Sequence, residues 1–272
     1  MGKKRTKKIP KKQLWVIGLT AAAMLVVTVS VFYVIFGHYD GLGLAREVAE
    51  NQYNMSNLSK SKGLRHYEDE QYESIAGIDV SFYQKKIDWE QVKASGIEFA
   101  IIRVGFRGSK TGELQLDDRF KENIEGAKAA GIDVGVYFFS QAITTEEAIK
   151  EARFVLRHIK GKGVEYPVVF DMEPIHGSNR INKLTTTEKT EIADAFCELI
   201  ERNGYEPMIY GNPTWLNQHI DLSYLTKYEV WLAHYAETTD YPWQYRIWQY
   251  TDRGKVKGIK GRVDLNIYFK EK

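Results

Sequence analysis

A short apolar run that ends in two acids occupies residues 166–174, which read YPVVFDMEP. Side chains on a strand alternate between faces, so Val169, Asp171 and Glu173 are predicted to share one face of a strand. Pro174 favours an extended backbone at Glu173 and ends the strand there. On a solvated strand the two acids would only add solubility. On a buried strand they predict either acid–base chemistry at a glycosidic bond or a metal site.

The composition of the whole chain argues against several other kinds of site. The 272 residues carry a net charge of +2, which gives no sign of a nucleic-acid partner. The single cysteine, Cys197, lies in an apolar helical pattern and is predicted to be a core residue rather than a nucleophile. Six histidines are scattered without the spacing of zinc ligands, so we expect no metal and no other cofactor.

The N-terminal part of the chain predicts a membrane anchor. Residues 1–13 hold seven basic side chains and no acid, and residues 14–36 form an uncharged run of 23 residues. As a helix this run is about 34 Å long, enough to cross a bilayer core of about 30 Å. The basic flank predicts a cytoplasmic N-terminus, a single pass through the cell membrane and an extracytoplasmic remainder. A cleaved signal peptide is the alternative, but its apolar region is usually shorter.

The segment that follows, residues 37–74, is polar and of mixed charge, without an apolar period. We therefore predict an extracytoplasmic linker. As a coil of about 38 residues it would span roughly 30–40 Å.

Residues 75–272 alternate between predicted strands and helices and form one α/β domain. Repeated strand–helix units predict a parallel sheet, most simply a closed TIM-like barrel. The last three strands depart from this pattern, because no full helix separates them. The predicted strands are 77–81, 99–106, 134–140, 166–174, 208–210, 230–236, 245–250 and 263–269. The predicted helices are 88–96, 117–130, 144–160, 185–203 and a short one from 213.

Four acids stand where such a barrel carries its chemistry, at the carboxyl ends of strands. Asp79 lies in the first predicted strand, Asp171 and Glu173 in the fourth, and Asp264 in the last. The first and last strands of a closed barrel are neighbours, so Asp79 and Asp264 should lie close together. The alternative for these two is that each caps a loop or pairs with an arginine. The arginines available for this are Arg103 and Arg262.

Seven short motifs follow one another between residues 75 and 270. They are GIDVS at 77–81 with Gln84, GVYF at 135–138, DME at 171–173, IY at 209–210, WLA at 231–233 with Tyr235, WQY at 248–250 and VDLN at 263–266. In this order they resemble glycoside hydrolase family 25, the peptidoglycan muramidases also called Chalaropsis-type lysozymes.

The resemblance implies an irregular barrel in which five β/α units are followed by three strands. It also implies hydrolysis of the β-1,4 bond between N-acetylmuramic acid and N-acetylglucosamine in the glycan strands of peptidoglycan. Glu173 would be the general acid, Asp171 would orient or stabilise the 2-acetamido group, and Asp79 and Asp264 would hold sugar or water. The substrate contacts implied are Tyr137, Tyr210, Tyr235, Trp248 and Gln249.

The spacing of the acid pair bears on the stereochemistry of this reaction. Alternation points Asp171 and Glu173 to the same side of the bond, whereas a nucleophile stands opposite the acid, with the two carboxyls about 5–5.5 Å apart. The pair therefore favours substrate assistance, in which the 2-acetamido oxygen attacks the anomeric carbon. Inversion, with Asp79 or Asp264 activating water, is the alternative. For the function itself the alternatives are another barrel glycosidase, such as a chitinase, or a non-catalytic cell-wall-binding module.

Overall fold

The computed structural model describes residues 41–175, 177 and 180–272. The predicted basic segment 1–13 and the predicted anchor 14–36 lie outside these residues. Within the described ranges, no helix is both long and apolar enough to cross a membrane.

The strands are β1 Leu58–Ser61, β2 Leu64–Tyr67, β3 Tyr72–Val80, β4 Phe99–Arg107, β5 Leu114–Leu116, β6 Asp133–Ser140, β7 Val168–Met172, β8 Pro207–Gly211, β9 Glu229–Ala233, β10 Ile247–Gly254 and β11 Val263–Glu271. The α-helices are α1 Trp89–Ala94, α2 Phe120–Ala129, α3 Thr145–Ile159, α4 Thr186–Arg202 and α5 Pro213–Gln218.

Eight of these strands close into a barrel. β3, β4, β6, β7, β8, β9 and β10 run parallel in that order, and β11 runs antiparallel between β10 and β3. Helices follow β3, β4 with its short antiparallel partner β5, β6, β7 and β8, whereas no α-helix separates β9, β10 and β11. The structure confirms the prediction of five β/α units followed by three strands.

The two faces of β7 are those that alternation predicts. Val169 belongs to the apolar cluster that fills the barrel, together with Phe99. Phe170 points outward and packs on Phe196 of α4, with ring centroids 5.2 Å apart. The interior is filled so closely that a Cβ on Gly77 would lie 2.2 Å from the Phe99 ring. A glycine is therefore needed in the first motif to leave room for that ring.

The segment before the barrel differs from the predicted linker. Residues 41–57, here named the N-terminal strap, and the β1–β2 hairpin pack against the barrel. Tyr53 stacks on Phe269 with ring centroids 3.9 Å apart, and its hydroxyl donates to the carbonyl of Tyr245 at 2.9 Å. The prediction of a coil is thus wrong over residues 46–74. These contacts join residues at least 192 positions apart, so the local sequence shows no apolar period.

The strap contacts the end of the barrel at which the parallel strands begin. Tyr53 also packs on Tyr72, the first residue of β3, and Tyr245 stands just before β10. The carboxyl ends of the parallel strands form the other end, here named the opening. Any site at the opening is therefore separated from the strap by the length of the barrel.

Candidate active site

The four predicted acids lie together at the opening. Asp79 on β3 and Asp264 on β11 are register partners, so their side chains leave the sheet on the same interior face. Asp171 lies near the end of β7, and Glu173 follows just beyond the strand. The charge of Glu173 raises the pKa of both Asp79 and Asp171, as expected for groups within short range. We call these four residues the acid ring.

Burial raises the pKa of every member of the acid ring. It is the largest cause for Asp79, whose pKa rises to about 6, for Glu173, whose pKa rises to about 7, and for Asp264, whose pKa rises to about 8. Asp171 is only 5% exposed, and burial together with the charge of Glu173 raises its pKa well above the ordinary value. Removing the carboxyls from water disfavours their charged forms, so each keeps its proton to a higher pH than an exposed carboxyl does.

The carboxyls of Asp171 and Glu173 interact directly. After burial, the strongest influence on Glu173 is a hydrogen bond with Asp171, which lowers its pKa, and the charge of Asp264 raises it. Repulsion from a neighbouring carboxylate is one way to keep a proton on Glu173. The structure instead shows that burial raises the pKa of Glu173, while Asp171 shares a hydrogen bond with it. Such a pair titrates as a unit, and burial raises the pH at which it loses its protons.

Gln249 on β10 connects three predicted site residues to one another. Its Oε1 accepts hydrogen bonds from the hydroxyls of Tyr210 at 3.0 Å and Tyr235 at 2.8 Å. Its Nε2 donates to Oδ2 of Asp79 at 2.8 Å. The structure therefore brings Tyr210, Tyr235 and Gln249 to the acid ring, although the sequence could not show that one amide joins them.

Asn266 is a site residue that the sequence reasoning missed. Its Nδ2 donates to Oδ2 of Asp79 at 2.8 Å, and its Oδ1 accepts from the indole Nε1 of Trp231 at 2.8 Å. The indole fixes which end of the amide faces Asp79. Asn266 stands two residues after Asp264 on one strand, so alternation already placed it on the interior face.

Arg103 pairs with an acid other than the predicted ones. Its Nε donates to Oδ2 of Asp117 at 2.8 Å, so it does not neutralise Asp79 or Asp264 in an ion pair. Its charge still lowers the pKa of Asp171 and that of Tyr137, which faces the interior from β6 and is half-buried. Arg103 therefore influences the site electrostatically, through its positive charge, and not through an ion pair with one of the four acids.

Aromatic side chains surround Arg103 at the opening. Its guanidinium carbon lies 5.0 Å from the ring centroid of Phe82, 5.5 Å from that of Tyr83 and 5.3 Å from that of Phe106. Tyr83 is 69% exposed, and on the other side of the opening Tyr235 is 53% exposed. These rings offer apolar faces to a ligand that enters the opening.

The structure does not bring Trp248 to this group. Its side chain is fully buried, its Nε1 donates to the carbonyl of His234 at 2.8 Å, and the guanidinium of Arg65 covers its ring at 4.9 Å. Alternation allows only one of Trp248 and Gln249 to face the interior, and Gln249 takes that place. The structure thus corrects the prediction that Trp248 contacts the substrate. Cys197 is fully buried in α4, which confirms the prediction of a core residue.

The arrangement defines the class of protein. A buried carboxyl pair with raised pKa values, in an opening lined by aromatic and amide side chains, suits acid–base cleavage of a glycosidic bond. In the part of the chain that the structure describes, no group of three or more His, Cys, Asp or Glu side chains is arranged to hold a metal ion. Fold and site together therefore define a barrel of the glycosidase type.

Comparison with known proteins identifies the family. The model of glycosyl hydrolases family 25 matches residues 78–259, which is more than half of the chain. The chain belongs to this family and is a glycoside hydrolase. The family match supports the muramidase resemblance over the chitinase alternative.

Relatives and solved structures agree with this assignment. The uncharacterized protein YegX of Escherichia coli K12 is 29% identical over 201 residues, which are 72% of this chain and 70% of YegX. Lysozyme M1 of Streptomyces globisporus is 29% identical over 205 residues, 71% of this chain and 67% of that protein. The modular autolysin LytC of Streptococcus pneumoniae superposes with a TM-score of 0.64 at 24% identity, over 78% of this chain. This chain spans 52% of LytC, about half of its length, and the likeness to LytC shows the fold alone.

Proposed function

We propose that this enzyme hydrolyses peptidoglycan at the β-1,4 bond between N-acetylmuramic acid and N-acetylglucosamine, with Glu173 as the general acid. The observation that carries the proposal is the Asp171–Glu173 pair, whose burial raises the pKa of Glu173 to about 7. A general acid works best when its pKa lies near the working pH. The similarity to lysozyme M1 supports peptidoglycan as the substrate.

Asp171 is suited to hold the 2-acetamido group of the substrate. Within the described residues, its buried Oδ1 has no hydrogen-bond partner. A buried acceptor without a partner is costly, and the N–H of an acetamido group would satisfy it. Asp79, held by two amide donors, would bind a sugar hydroxyl or water, and Asp264 lies beside it. The substrate contacts proposed are Tyr137, Tyr210, Tyr235 and Gln249.

The test compares wild-type protein with Glu173→Gln on purified peptidoglycan, with mass spectrometry of the reducing ends released. The wild type should release N-acetylmuramic acid ends. Glu173→Gln should lose activity by about a hundredfold or more, because the amide cannot protonate the leaving oxygen. Glu90→Gln, an exposed site on α1, is the matched control and should keep full activity. N-acetylglucosamine reducing ends, or an active Glu173→Gln protein, would contradict the proposal.

The position of Asp171 supports substrate assistance as the course of the reaction. The acetamido oxygen would attack the anomeric carbon while Asp171 holds the amide N–H, so the product should keep the β configuration. Proton NMR of the first-formed reducing sugar measures this. Early appearance of the α-anomer would instead indicate inversion, with Asp79 or Asp264 activating water from the other face.

We further propose that residues 14–36 anchor the protein in the cell membrane, with the barrel outside. The seven basic residues in 1–13 and the uncharged run that follows support this orientation. Protease added to intact protoplasts should then remove the barrel and spare a cytosolic marker. A barrel that is protected together with the marker would contradict the orientation.

A further inference from the structure

A second groove with a basic lining lies beside the acid ring. It has a volume of about 750 Å³, and we call it the basic groove. It meets the opening at Tyr235, whose hydroxyl donates to Gln249 of the site. Asp252, which also lines it, is near enough to Asp264 for its charge to raise the pKa of that acid. The charged side chains that line the basic groove are Lys60, Arg65, Glu237, Asp252, Arg253 and Lys255.

Arg65 gives the basic groove a fixed positive charge. It is only 7% exposed, and its guanidinium lies 4.9 Å from the ring centroid of Trp248 and 4.7 Å from that of Tyr250. Its NH1 donates to the carbonyl of Ala236 at 2.6 Å. Its ion-pair partner, Glu237, lies at 3.2 Å with a side chain that is 92% exposed. Solvent screens an exposed carboxylate strongly, so Arg65 leaves positive potential in the groove.

The other cations of the basic groove are exposed and come from two separate parts of the chain. Lys60 lies on β1, whereas Arg253 and Lys255 lie at the end of β10. Arg253 contacts the neighbouring Asp252 at 3.6 Å. Lys60 and Arg65 both belong to the hairpin that precedes the matched family range, residues 78–259. The hairpin therefore adds two positive charges next to a site that the family range supplies.

We infer that the basic groove binds the carboxylates of the peptide that branches from the glycan strand. The inference rests on the proposed function and names the part of the substrate that this surface recognises. The peptide is attached to the muramic acid residue, directly beside the bond that would be cleaved, and it carries free carboxylates. A groove that begins at Tyr235, one hydrogen bond from Gln249, is close enough to receive it. Clustered lysine and arginine side chains with a fixed arginine at the floor are suited to such anions.

The experiment compares two substrates made from one glycan preparation, with and without its peptides. Removal of the peptides by an amidase leaves the glycosidic bonds unchanged. The double variant Lys60→Gln/Lys255→Gln should lower kcat/KM on the peptide-bearing glycan by about fivefold, mostly through KM, because exposed charge pairs contribute modestly. On the peptide-free glycan it should equal the wild type. Added salt should reduce the difference in kcat/KM between the variant and the wild type on the peptide-bearing glycan.

The matched control changes two lysines at the other end of the barrel. Lys93 lies in the last turn of α1 and Lys160 ends α3, so Lys93→Gln/Lys160→Gln lowers the net charge equally. It should behave as wild type on both substrates. An equal decrease in kcat/KM of the Lys60/Lys255 variant on both substrates, or no decrease on either, would overturn the inference. A decrease in kcat/KM that appears only on walls carrying a phosphate polymer would also overturn it, since the bound anion would then be phosphate. A wild-type protein inactive on both glycans would contradict the proposed function instead.

Discussion

Asp79 and Asp264 lie side by side as register partners, yet burial raises the pKa of the two carboxyls to different extents. Asp79 accepts two amide hydrogen bonds, from Gln249 and Asn266, and these oppose the effect of burial, so its pKa rises only to about 6. The pKa of Asp264 is lowered only by a backbone hydrogen bond, while burial and the charges of Asp79 and Asp252 raise it to about 8. The two amide hydrogen bonds therefore favour the carboxylate form of Asp79 over that of Asp264. Two neighbouring acids thus differ in their affinity for a proton because their environments differ.

Asp264→Asn should lower turnover by about tenfold or more while the fold remains intact. The wild type should lose activity as the pH rises through about 7, because Glu173 then loses the proton that it must donate. In the variant this decline should move to lower pH, since the charge of Asp264 helps to raise the pKa of Glu173. Turnover as a function of pH and circular dichroism measure these effects.

The matched control for this experiment is Asp133→Asn, which changes an exposed acid at the start of β6, far from the opening. It should leave both turnover and the pH profile as in the wild type. Wild-type turnover in a well-folded Asp264→Asn protein would remove Asp264 from the site.

At the scale of elements, the loop after β6 holds the loop after β7. The side-chain amide of Gln141 donates to the backbone carbonyl of Glu173 at 3.2 Å. Arg180 donates to the carbonyl of Gln141 at 2.9 Å and forms two hydrogen bonds with Glu147 on α3. These bonds tie the backbone at Glu173 to a long helix, so we infer that Gln141 is a positioning residue for the general acid.

Gln141→Ala should lower kcat by about tenfold with little change in KM, because small displacements of a catalytic group reduce the rate more than ground-state binding. A looser Glu173 would also be better solvated. Its pKa should fall, and the decline of activity at high pH should begin earlier. The exposed Gln115→Ala on β5 is the control and should change neither quantity. A raised KM with unchanged kcat would show that Gln141 acts on substrate binding instead.

The strands also show which structural features can be predicted from the sequence and which depend on the fold. Alternation predicted the faces of β7 correctly because that strand is short, buried on both faces and ended by Pro174. Alternation did not predict which of Trp248 and Gln249 faces the interior, since either side chain can fill a barrel interior. The sequence offered Asp79 and Asp264 as partners for Arg103, and only the fold places Asp117 next to it. β5 was missed because three residues carry no readable period, and it forms by pairing with β4.

At the scale of the whole molecule, the strap stabilises the end of the barrel opposite the opening, here named the closed end. The ring of Tyr53 contacts Phe269, Tyr67, Tyr72 and Tyr245, and its hydroxyl donates to a backbone carbonyl. The sequence could not predict this cluster, because its members are spread from residue 53 to residue 269. They are joined only when the barrel has closed.

Tyr53→Ala should lower the free energy of unfolding by about 3 kcal/mol, since it leaves a cavity among aromatic rings. Denaturant unfolding followed by tryptophan fluorescence measures the change. Turnover of the folded protein should be unaffected, because Tyr53 lies at the end of the barrel away from the acid ring. Tyr83→Ala, which removes a side chain that is 69% exposed, should change stability little. If Tyr53→Ala were as stable as wild type, the strap would contribute nothing to the fold.

The placement of the strap has a practical consequence for handling the barrel as a reagent. Tyr53 of the strap and the end of β11 meet at the closed end, where the backbone N–H of Lys272 donates to the carbonyl of Gln71 at 3.0 Å. A resin, a fusion partner or a sensor surface joined through either of these segments would leave the opening uncovered. Immobilised barrels should then capture long glycan chains from solution, which a linkage through Tyr83 or Tyr235 would obstruct.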